Sequence, residues 1–228
     1  MGLTLVKPTT TVKDLGVYFD AFATMSDQVS KICQAASFAL YRIGRIRRLL
    51  DRRTTEKLIH AFITSRLDYC NSVLYGIDAQ HIARLQGIQN SAARIVTRTR
   101  KYDHITPVLI DLHWLPIPAR IEFKIALIVF KIMHNSAPSY LSSLVSRHAP
   151  PAPVHVALRT RQSTRHMQEV RLEPVDYTQK NFGARSFSYS APLVWNALPL
   201  YICTAPSMVV FKARLKTFFL QKYLIEPM

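Results

Sequence analysis

Acidic residues are scarce in this sequence, and no two of them are adjacent. The 228 residues include 14 Asp and Glu against 30 Lys and Arg. Enzymes that hold two metal ions for phosphoryl transfer need clustered carboxylates, with the ions about 4 Å apart. Glycine is scarce too, and no phosphate-cradling glycine loop is found among the six glycines. The sequence therefore predicts no catalytic residues, no metal site and no cofactor within this chain.

Cysteine is also rare, and long apolar runs are missing. Cys33, Cys70 and Cys203 are scattered with no Cys-x-x-Cys pair, which argues against a disulfide framework and a zinc site and favours reduced thiols. The longest apolar stretch, residues 125–133, is interrupted by Lys131 and is too short to span a bilayer. Since no secretory signal is visible, we expect an intracellular protein, nuclear or cytoplasmic, with no membrane partner.

Positive charge is what the sequence has in excess. The formal net charge is +16, far from the balance of an ordinary metabolic enzyme. Such an excess favours a polyanionic partner, with nucleic acid ahead of an acidic membrane surface. Apolar residues make up 49% of the chain, which is sufficient to bury a core in one large or two small domains.

Many of the arginines lie on or just after a predicted long helix over residues 25–50. One face of this helix is apolar, with Val29, Ile32, Ala36, Ile43, Ile46 and Leu50 at helical spacing. Arg42, Arg45 and Arg48 project from the opposite face. Six arginines fall between positions 42 and 53, and Asp51 alone offsets them. A solubilising face is the ordinary interpretation, but like charges at this density repel unless something such as phosphate neutralises them.

A second helix is predicted from Asp51, whose side chain can cap it, to Gly76. Its predicted buried face contains Leu58, Ile59, Phe62, Ile63, Cys70, Val73 and Leu74. At about 100° per residue, Arg66 projects into the middle of this face. We therefore expect Arg66 to be a structural buried charge that reaches a carboxylate, a set of carbonyls or a phosphate, with an internal ion pair favoured.

A third helix is predicted to begin at Asp78 and to bury Ile82, Leu85, Gln89, Ala92, Ala93 and Val96. Its other face carries a polar and basic stripe along roughly three turns, namely Asn90, Arg94, Thr97, Arg98 and Lys101. Such a stripe is usually a solvated face, but this one has no acidic residue. The candidate nucleic-acid-binding residues are therefore Arg42, Arg45, Arg48, Arg94, Arg98 and Lys101.

Several short motifs occur in a fixed order along the chain. They are LIHAFITSRLDYCN at 58–71, RLQGIQNSAAR at 84–94, HITP at 104–107, LHWLP at 112–116, APSYL at 137–141 and APLVWNALP at 191–199. In this order they resemble the region after the polymerase palm in LINE-type (non-long-terminal-repeat) retrotransposon reverse transcriptases, and most of all the jockey and chicken-repeat-like branch. The resemblance covers nearly the whole chain.

The resemblance implies a mainly α fold. Residues 21–148 would form a helical thumb-like bundle, residues 1–20 a short β-hairpin remnant of the palm, and residues 149–228 a linker and a smaller, basic helical module. Strands are expected at 3–6 and 12–19, and Leu15, Gly16 and Val17 would help to position the primer end. The catalytic carboxylates and Mg²⁺ of the parent polymerase would lie outside this chain.

The implied function is that of a C-terminal fragment of an RNA-directed DNA polymerase. It would bind the template-primer duplex of RNA and DNA largely without regard to sequence, and would be inactive in synthesis alone. Two alternatives stay open: an inactive or repurposed basic helical module that binds proteins, and a binder of anionic membranes. Apolar residues of the palm remnant are also expected to promote self-association through an exposed sheet edge, namely Leu3, Leu5, Val6, Val12, Leu15 and Val17.

The C-terminal part contains several aromatic residues. Phe182, Phe187, Tyr189 and Trp195 are able to stack on unpaired bases, but aromatics beside a proline-opened helix are more often packed inside. A last helix, capped by Ser207, is expected to bury Phe211, Leu215, Phe218 and Phe219 and to add the positive charge of Lys212, Arg214, Lys216 and Lys222.

Overall fold

The computed structural model of the protein describes residues 9–147, 170–175 and 183–225. These residues are mainly helical, with one small antiparallel β-hairpin near the N-terminus, which confirms the predicted fold class. The chain divides into two compact units, Met1–Leu112 and His113–Met228. The proposed boundaries at residues 20 and 148 stay predictions, and the candidate linker at 149–153 lies outside the described residues.

The hairpin pairs β1 (Thr11–Asp14) with β2 (Val17–Asp20), so that Asp14 lies opposite Val17. The expected single strand over residues 12–19 is therefore wrong, and the expected strand at 3–6 lies outside the described residues. Leu15 and Gly16 form a two-residue turn with φ of 44° and 87°, the left-handed conformation that reverses a hairpin tightly. The Tyr69 hydroxyl donates to the Leu15 carbonyl and holds this turn.

Four longer helical segments complete the first unit. They are α1 (Ser26–Ile46), α2 (Arg52–Ile59), α4 (Ala79–Thr97) and α5 (Thr106–Asp111), with a short α3 (Ser65–Asp68) after α2. A π-helical turn, His60–Thr64, joins α2 to α3, and 3₁₀ turns occupy Arg47–Leu49 and Asn71–Leu74. The core of this unit lies where α1 packs along α4 and α2 closes over both.

Helix α1 begins after a loop that Asp20 organises. The Asp20 carboxylate accepts hydrogen bonds from the backbone N–H groups of Phe22, Thr24 and Met25 and from the Thr24 hydroxyl. The buried face of α1 contains Val29, Ile32, Ala36, Leu40 and Ile43. Ile46 is exposed and Leu50 is half-buried, which corrects the predicted core. Arg47, four residues after Ile43 and at the start of a 3₁₀ turn, takes the inner position instead.

The predicted continuous helix from Asp51 to Gly76 is interrupted by the π turn. Asp51 caps it as predicted and accepts from the Thr54 N–H at 3.1 Å, but the helix ends at Asp68. The inward residues recur every four positions, at Thr55, Ile59, Ile63 and Leu67, because a π turn contains more residues per turn than an α turn.

This spacing moves Leu67 into the core and turns Arg66 outwards. Arg66 is exposed and donates from Nε to the Phe62 carbonyl at 3.2 Å. The prediction of Arg66 as a buried charge with an internal ion pair is therefore wrong.

The structure of α4 follows its prediction closely. Asp78 accepts from the Gln80 N–H at 2.7 Å and caps the helix. Of the six residues expected in the core, Ile82 is half-buried, and the others are buried: Leu85, Gln89, Ala92, Ala93 and Val96. The helix ends at Thr97, and Arg98 follows with φ of 59°.

The second unit contains five helices in its described part. These are α6 (Ile117–Met133), α7 (Ser139–Ser142), α8 (Phe187–Asn196), α9 (Leu200–Cys203) and α10 (Met208–Leu220), with a 3₁₀ turn at Gly183–Arg185 and a π turn at Gln221–Ile225. Phe211 stacks on Phe130 with ring centroids 4.1 Å apart and lies 6.0 Å from the Trp195 ring. Trp195 and Phe211 are buried, so packing is their role.

Residues 170–175 are tied to α8 by the Trp195-Asn196 pair. The Trp195 indole N–H donates to the Val170 carbonyl at 2.7 Å, and the Asn196 amide both accepts from and donates to the backbone of Leu172. Ser207 caps α10 as predicted, whereas Phe218 is only half-buried. Phe182 lies outside the described residues.

Candidate nucleic-acid interface

The first group of predicted cations lies on the exposed side of α1 and of the 3₁₀ turn that follows it. Arg42, Arg45 and Arg48 are all exposed. The Arg42 guanidinium lies over the Phe38 ring at 5.7 Å from its centroid, and that of Arg45 over the Tyr41 ring at 5.9 Å. These two rings are 63% and 64% exposed. Sequence reasoning found the arginines and missed the rings, although Phe38 and Tyr41 occupy the same helix face at spacings of three and four.

Arg47 is the buried arginine of this unit. It donates from Nε to the Ile95 carbonyl at 2.7 Å and from its two terminal nitrogens to the carbonyls of Val96 and Leu50 at 2.9 and 2.6 Å. Burial, followed by the charge of Arg98, lowers the pKa of the Arg47 guanidinium, and Asp51 opposes this shift. The carbonyls at a helix C-terminus carry a partial negative charge, which favours a cation there.

The spacing of the buried residues of α1 contains a signal for Arg47. The core positions Ala36, Leu40 and Ile43 are followed by Arg47 four residues later, which is the continuation of the same helix face. Arg52 also has a local partner, since it forms an ion pair with Asp111. Arg42, Arg45, Arg48 and Arg53 are exposed, and Arg52 is exposed too but has its charge offset by Asp111.

The second group of predicted cations does not form one helical stripe. Arg94 is half-buried and donates to the carbonyls of Arg100 and Asp103 at 3.2 and 3.1 Å, so it holds the turn after α4. Arg98 is exposed at the left-handed end of the helix. Lys101 lies beyond that end, over the Tyr102 ring at 5.5 Å. Arg98 and Lys101 are thus the exposed members of this group, whereas the Arg94 guanidinium is hydrogen-bonded to backbone carbonyls.

Arg47 brings the two groups together at one corner of the first unit. Arg48 follows it in the chain, and the carbonyls that it binds belong to Ile95 and Val96, just before Arg98. The charge of Arg98 is close enough to act on the Arg47 guanidinium. The C-terminal end of α1 and the 3₁₀ turn after it, which carry the first group, therefore contact the C-terminal end of α4, which precedes the exposed members of the second group.

An open groove of about 660 Å³ lies between the hairpin, α1 and α3. Among the described residues that line it, three are cationic, Lys13 from β1, Lys31 from α1 and Arg66 from α3, and none is acidic. Phe38 lines its edge and belongs as well to the face of α1 that carries Arg42 and Arg45. We call these the cationic groove (Lys13, Lys31, Arg66) and the arginine face (Phe38, Tyr41, Arg42, Arg45, Arg48).

Of the three residues expected to position a primer end, Gly16 lines this groove, whereas Leu15 and Val17 do not. Gly16 lies against the Tyr69 ring, which a Cβ at this position would contact at 3.4 Å. Leu15 is 85% exposed, and its carbonyl accepts from Tyr69. Val17 is buried and belongs to the core. Gly16 therefore borders the groove, whereas Leu15 is exposed beside it in the turn and Val17 is part of the core.

The thiols and carboxylates of the described residues offer little chemistry. Burial raises the pKa of the Cys203 thiol to about 12, and burial also raises the pKa of Cys33, with the Arg84 charge opposing it. Both thiols are therefore poor nucleophiles near neutral pH. Among residues 9–147, 170–175 and 183–225, no group of three or more His, Cys, Asp or Glu side chains is placed to hold a metal ion.

Comparison of the chain with family models, with curated proteins and with solved structures gave no significant match in any of the three. Within the described part of the chain, no helix is both long enough and apolar enough to cross a membrane. The function proposed for this chain therefore rests on its own residues, and above all on the cationic groove and the arginine face.

Proposed function

We propose that this chain is a C-terminal fragment of a LINE-type RNA-directed DNA polymerase that binds template-primer nucleic acid, RNA and DNA, largely without regard to sequence. The observation that carries the proposal is the cationic groove, because three cations converge there from three elements without an acidic side chain in its lining. The ordered motifs described above agree with it. A nuclear or cytoplasmic location fits such a partner.

The chemistry of the groove matches a phosphate backbone. Lys13, Lys31 and Arg66 supply positive charge, and a polyanion that enters would neutralise their mutual repulsion and release its own counterions. Phosphate contacts of this kind position a strand and carry no base readout. Beyond Phe38, the arginine face extends the positive surface along α1 towards Arg98.

In this proposal the chain positions nucleic acid and performs no chemical step. The Mg²⁺ ions of a polymerase need clustered carboxylates, and the described residues place no such cluster. The part of the chain that the structure describes thus does not fit the metal site of the parent enzyme, and no step of synthesis is assigned to it.

The test is the salt dependence of binding to an RNA–DNA hybrid. Changing Lys13, Lys31 and Arg66 to Gln should flatten the slope of log K against log salt by about 2–3, since each lost phosphate contact is worth roughly 0.7–0.9. Lys124, Lys212 and Lys216 are exposed lysines of the second unit, and changing them to Gln removes the same charge as a control. Equal slopes for the wild type and the groove variant would refute the proposal.

A protein-interaction module is the second candidate, because apolar side chains are exposed on and beside the hairpin. Val12, Leu15 and Phe22 are all exposed, whereas Val17, also expected at an open edge, is buried. Gln28 accepts from the Tyr18 N–H and so covers part of the β2 edge, which leaves β1 as the more open edge. Val12→Lys should lower self-association in light scattering. If the wild type and Val12→Lys are both monomeric at high concentration, this candidate is refuted. Binding to anionic membranes, the other alternative, is tested separately by vesicle flotation.

A further inference from the structure

The arginine face presents two aromatic rings that the core does not use. The buried side of α1 is built from Val29, Ile32, Ala36, Leu40 and Ile43. Phe38 and Tyr41 point elsewhere and remain about two-thirds exposed, at 63% and 64%. Neighbouring large exposed rings on one helix face are a feature of binding surfaces, since they gain nothing from contact with water.

Each ring is held in place by an arginine one turn later. The Arg42–Phe38 and Arg45–Tyr41 pairs have the i, i+4 spacing of neighbours on a helix. A guanidinium over a ring is attracted by the negative face of the ring. These contacts restrict the rings while leaving most of their surface accessible, so the ordering cost on binding is reduced.

Rings and cations lie side by side on this face, with Arg42 beside Phe38 and Arg45 beside Tyr41, as bases and phosphates lie side by side along a strand. A duplex offers only its phosphates at the outside, because its bases are paired and stacked. A single strand offers phosphates to the arginines and unpaired bases to the rings. From Lys31 to Arg45 the face spans about 21 Å at 1.5 Å per residue, which provides room for several nucleotides.

We propose that α1 binds single-stranded nucleic acid, with unpaired bases stacked on Phe38 and Tyr41 and with phosphates on Arg42, Arg45 and Arg48. This inference rests on the proposed function and specifies its substrate as a strand that continues from the cationic groove. Phe38 is the link, because its ring lines the groove beside Lys31 and also carries Arg42. Positive charge throughout this path selects a polyanion.

The test compares a 20-nucleotide oligo(dT) with a blunt 20-base-pair RNA–DNA hybrid, each labelled with fluorescein. Stacking on one aromatic ring strengthens binding about 5-fold or more. The double variant Phe38→Ala with Tyr41→Ala should therefore weaken oligo(dT) binding about 25-fold or more and change hybrid binding less than about 2-fold. Its salt slope should equal that of the wild type, because no cation is removed.

Conservative and remote variants separate stacking from damage to the fold. Phe38→Trp with Tyr41→Phe should restore oligo(dT) binding, because both side chains keep a π face. Tyr140 and Tyr201 are exposed tyrosines of the second unit, and their change to Ala should leave all affinities unchanged. Far-ultraviolet circular dichroism should be the same for every variant, since none of these rings is buried.

Each alternative has its own outcome. Wild-type affinity of the double Ala variant for oligo(dT), with salt-dependent binding of both probes, would overturn the inference and leave the proposed function standing. Absence of binding of either probe by the wild type would refute both. Polyglutamate serves as a probe for acidic proteins. If it binds the wild type as tightly as oligo(dT) does, and if the double Ala variant weakens both equally, the surface binds acidic proteins instead.

Discussion

At the scale of single residues, Arg47 joins two helix ends through backbone carbonyls. It places one guanidinium against the carbonyls of Ile95, Val96 and Leu50. Those carbonyls lie at the C-terminal ends of helical segments, where the last carbonyls have no N–H donor within the helix. A planar group with five N–H donors suits such a fan of acceptors better than an ammonium does. The positive surface of this corner therefore includes one arginine that is part of the core.

Arg47→Met should lower the free energy of unfolding by about 1–3 kcal/mol, because buried carbonyl acceptors lose their donor. Arg47→Lys should recover part of this loss. Arg66→Gln should stay within about 0.5 kcal/mol of the wild type, as is usual for an exposed residue. Urea unfolding of the three variants measures these differences. If Arg66→Gln lowers the free energy of unfolding and Arg47→Met does not, the assignment of Arg47 as the buried charge is contradicted.

Asp20 predicts a dependence of stability on pH. Partial burial raises the pKa of this carboxyl, but hydrogen bonds from Thr24, Met25 and Phe22 outweigh it and lower the pKa below the ordinary 3.8. A carboxyl with a lowered folded-state pKa contributes stability above its unfolded pKa and loses it as the pH falls through the folded pKa. The stability difference between the wild type and Asp20→Asn should thus be constant between about pH 5 and about pH 7, where the carboxyl is charged in both the folded and the unfolded state.

The same difference should shrink as the pH falls below 3.8. Urea unfolding of both proteins across this range measures it. Since both share every other carboxyl, their comparison isolates Asp20. A difference that grows on acidification would mean that the loop does not stabilise the charged form.

At the scale of elements, the π turn at His60–Thr64 decides which side of the following helix faces the core. It places Leu67 inside and leaves Phe62 half exposed, at 50%. Because Arg66 is turned outwards by the same geometry, it lines the cationic groove with Lys13 and Lys31. The irregular turn therefore supplies one of the three groove cations.

Leu67→Ala should cost about 2–5 kcal/mol, the usual range for a leucine removed from a packed core. Phe62→Ala should cost about 1 kcal/mol or less, because half of that ring already contacts water. Chemical denaturation ranks the two. The reverse order is what a continuous α-helix would give, and observing it would remove the π turn and the outward position of Arg66 together.

Local signals in the sequence were sufficient for the starts of several helices. Asp51, Asp78 and Ser207 each accept the backbone hydrogen bond expected of a cap, because capping depends on residues two or three positions away. The π turn, the 3₁₀ turn at Arg47 and the reversal at Leu15 were missed. Two of these involve contacts distant in sequence, Arg47 with α4 and Tyr69 with Leu15.

The candidate site was predictable only in part for the same reason. Arg42 and Arg45 were found because a regular helix exposes them together, and Arg48 is exposed in the 3₁₀ turn that follows. The cationic groove was not found, since it combines β1, α1 and α3, and no pattern along the chain relates Lys13 to Lys31 and Arg66. Arg94 and Lys101 were predicted as one stripe, but the helix ends at Thr97, so periodicity no longer applies to the residues beyond it.

At the scale of the whole molecule, the net charge of +16 is spread over both units, and charge alone does not locate a partner. The groove differs from other basic surface because its cations converge from separate elements, and the arginine face differs because two of its arginines lie over exposed rings. Two residues of the 58–71 motif stabilise the walls of the groove. The Tyr69 hydroxyl donates to the hairpin turn at Leu15, and the buried Leu67 packs α3 against the core. In the second unit, Trp195 and Asn196 hold residues 170–175.

Lysine acetylation in the presence of an RNA–DNA hybrid tests the central claim most directly, with mass spectrometry to read each site. Binding should protect Lys13 and Lys31, which line the groove, and leave the exposed Lys124, Lys212 and Lys216 at their free rates. High salt should abolish the protection, because phosphate contacts are lost by counterion competition. Protection confined to the second unit, or equal rates at Lys13 and Lys31 with and without bound hybrid, would contradict a nucleic-acid interface in the cationic groove.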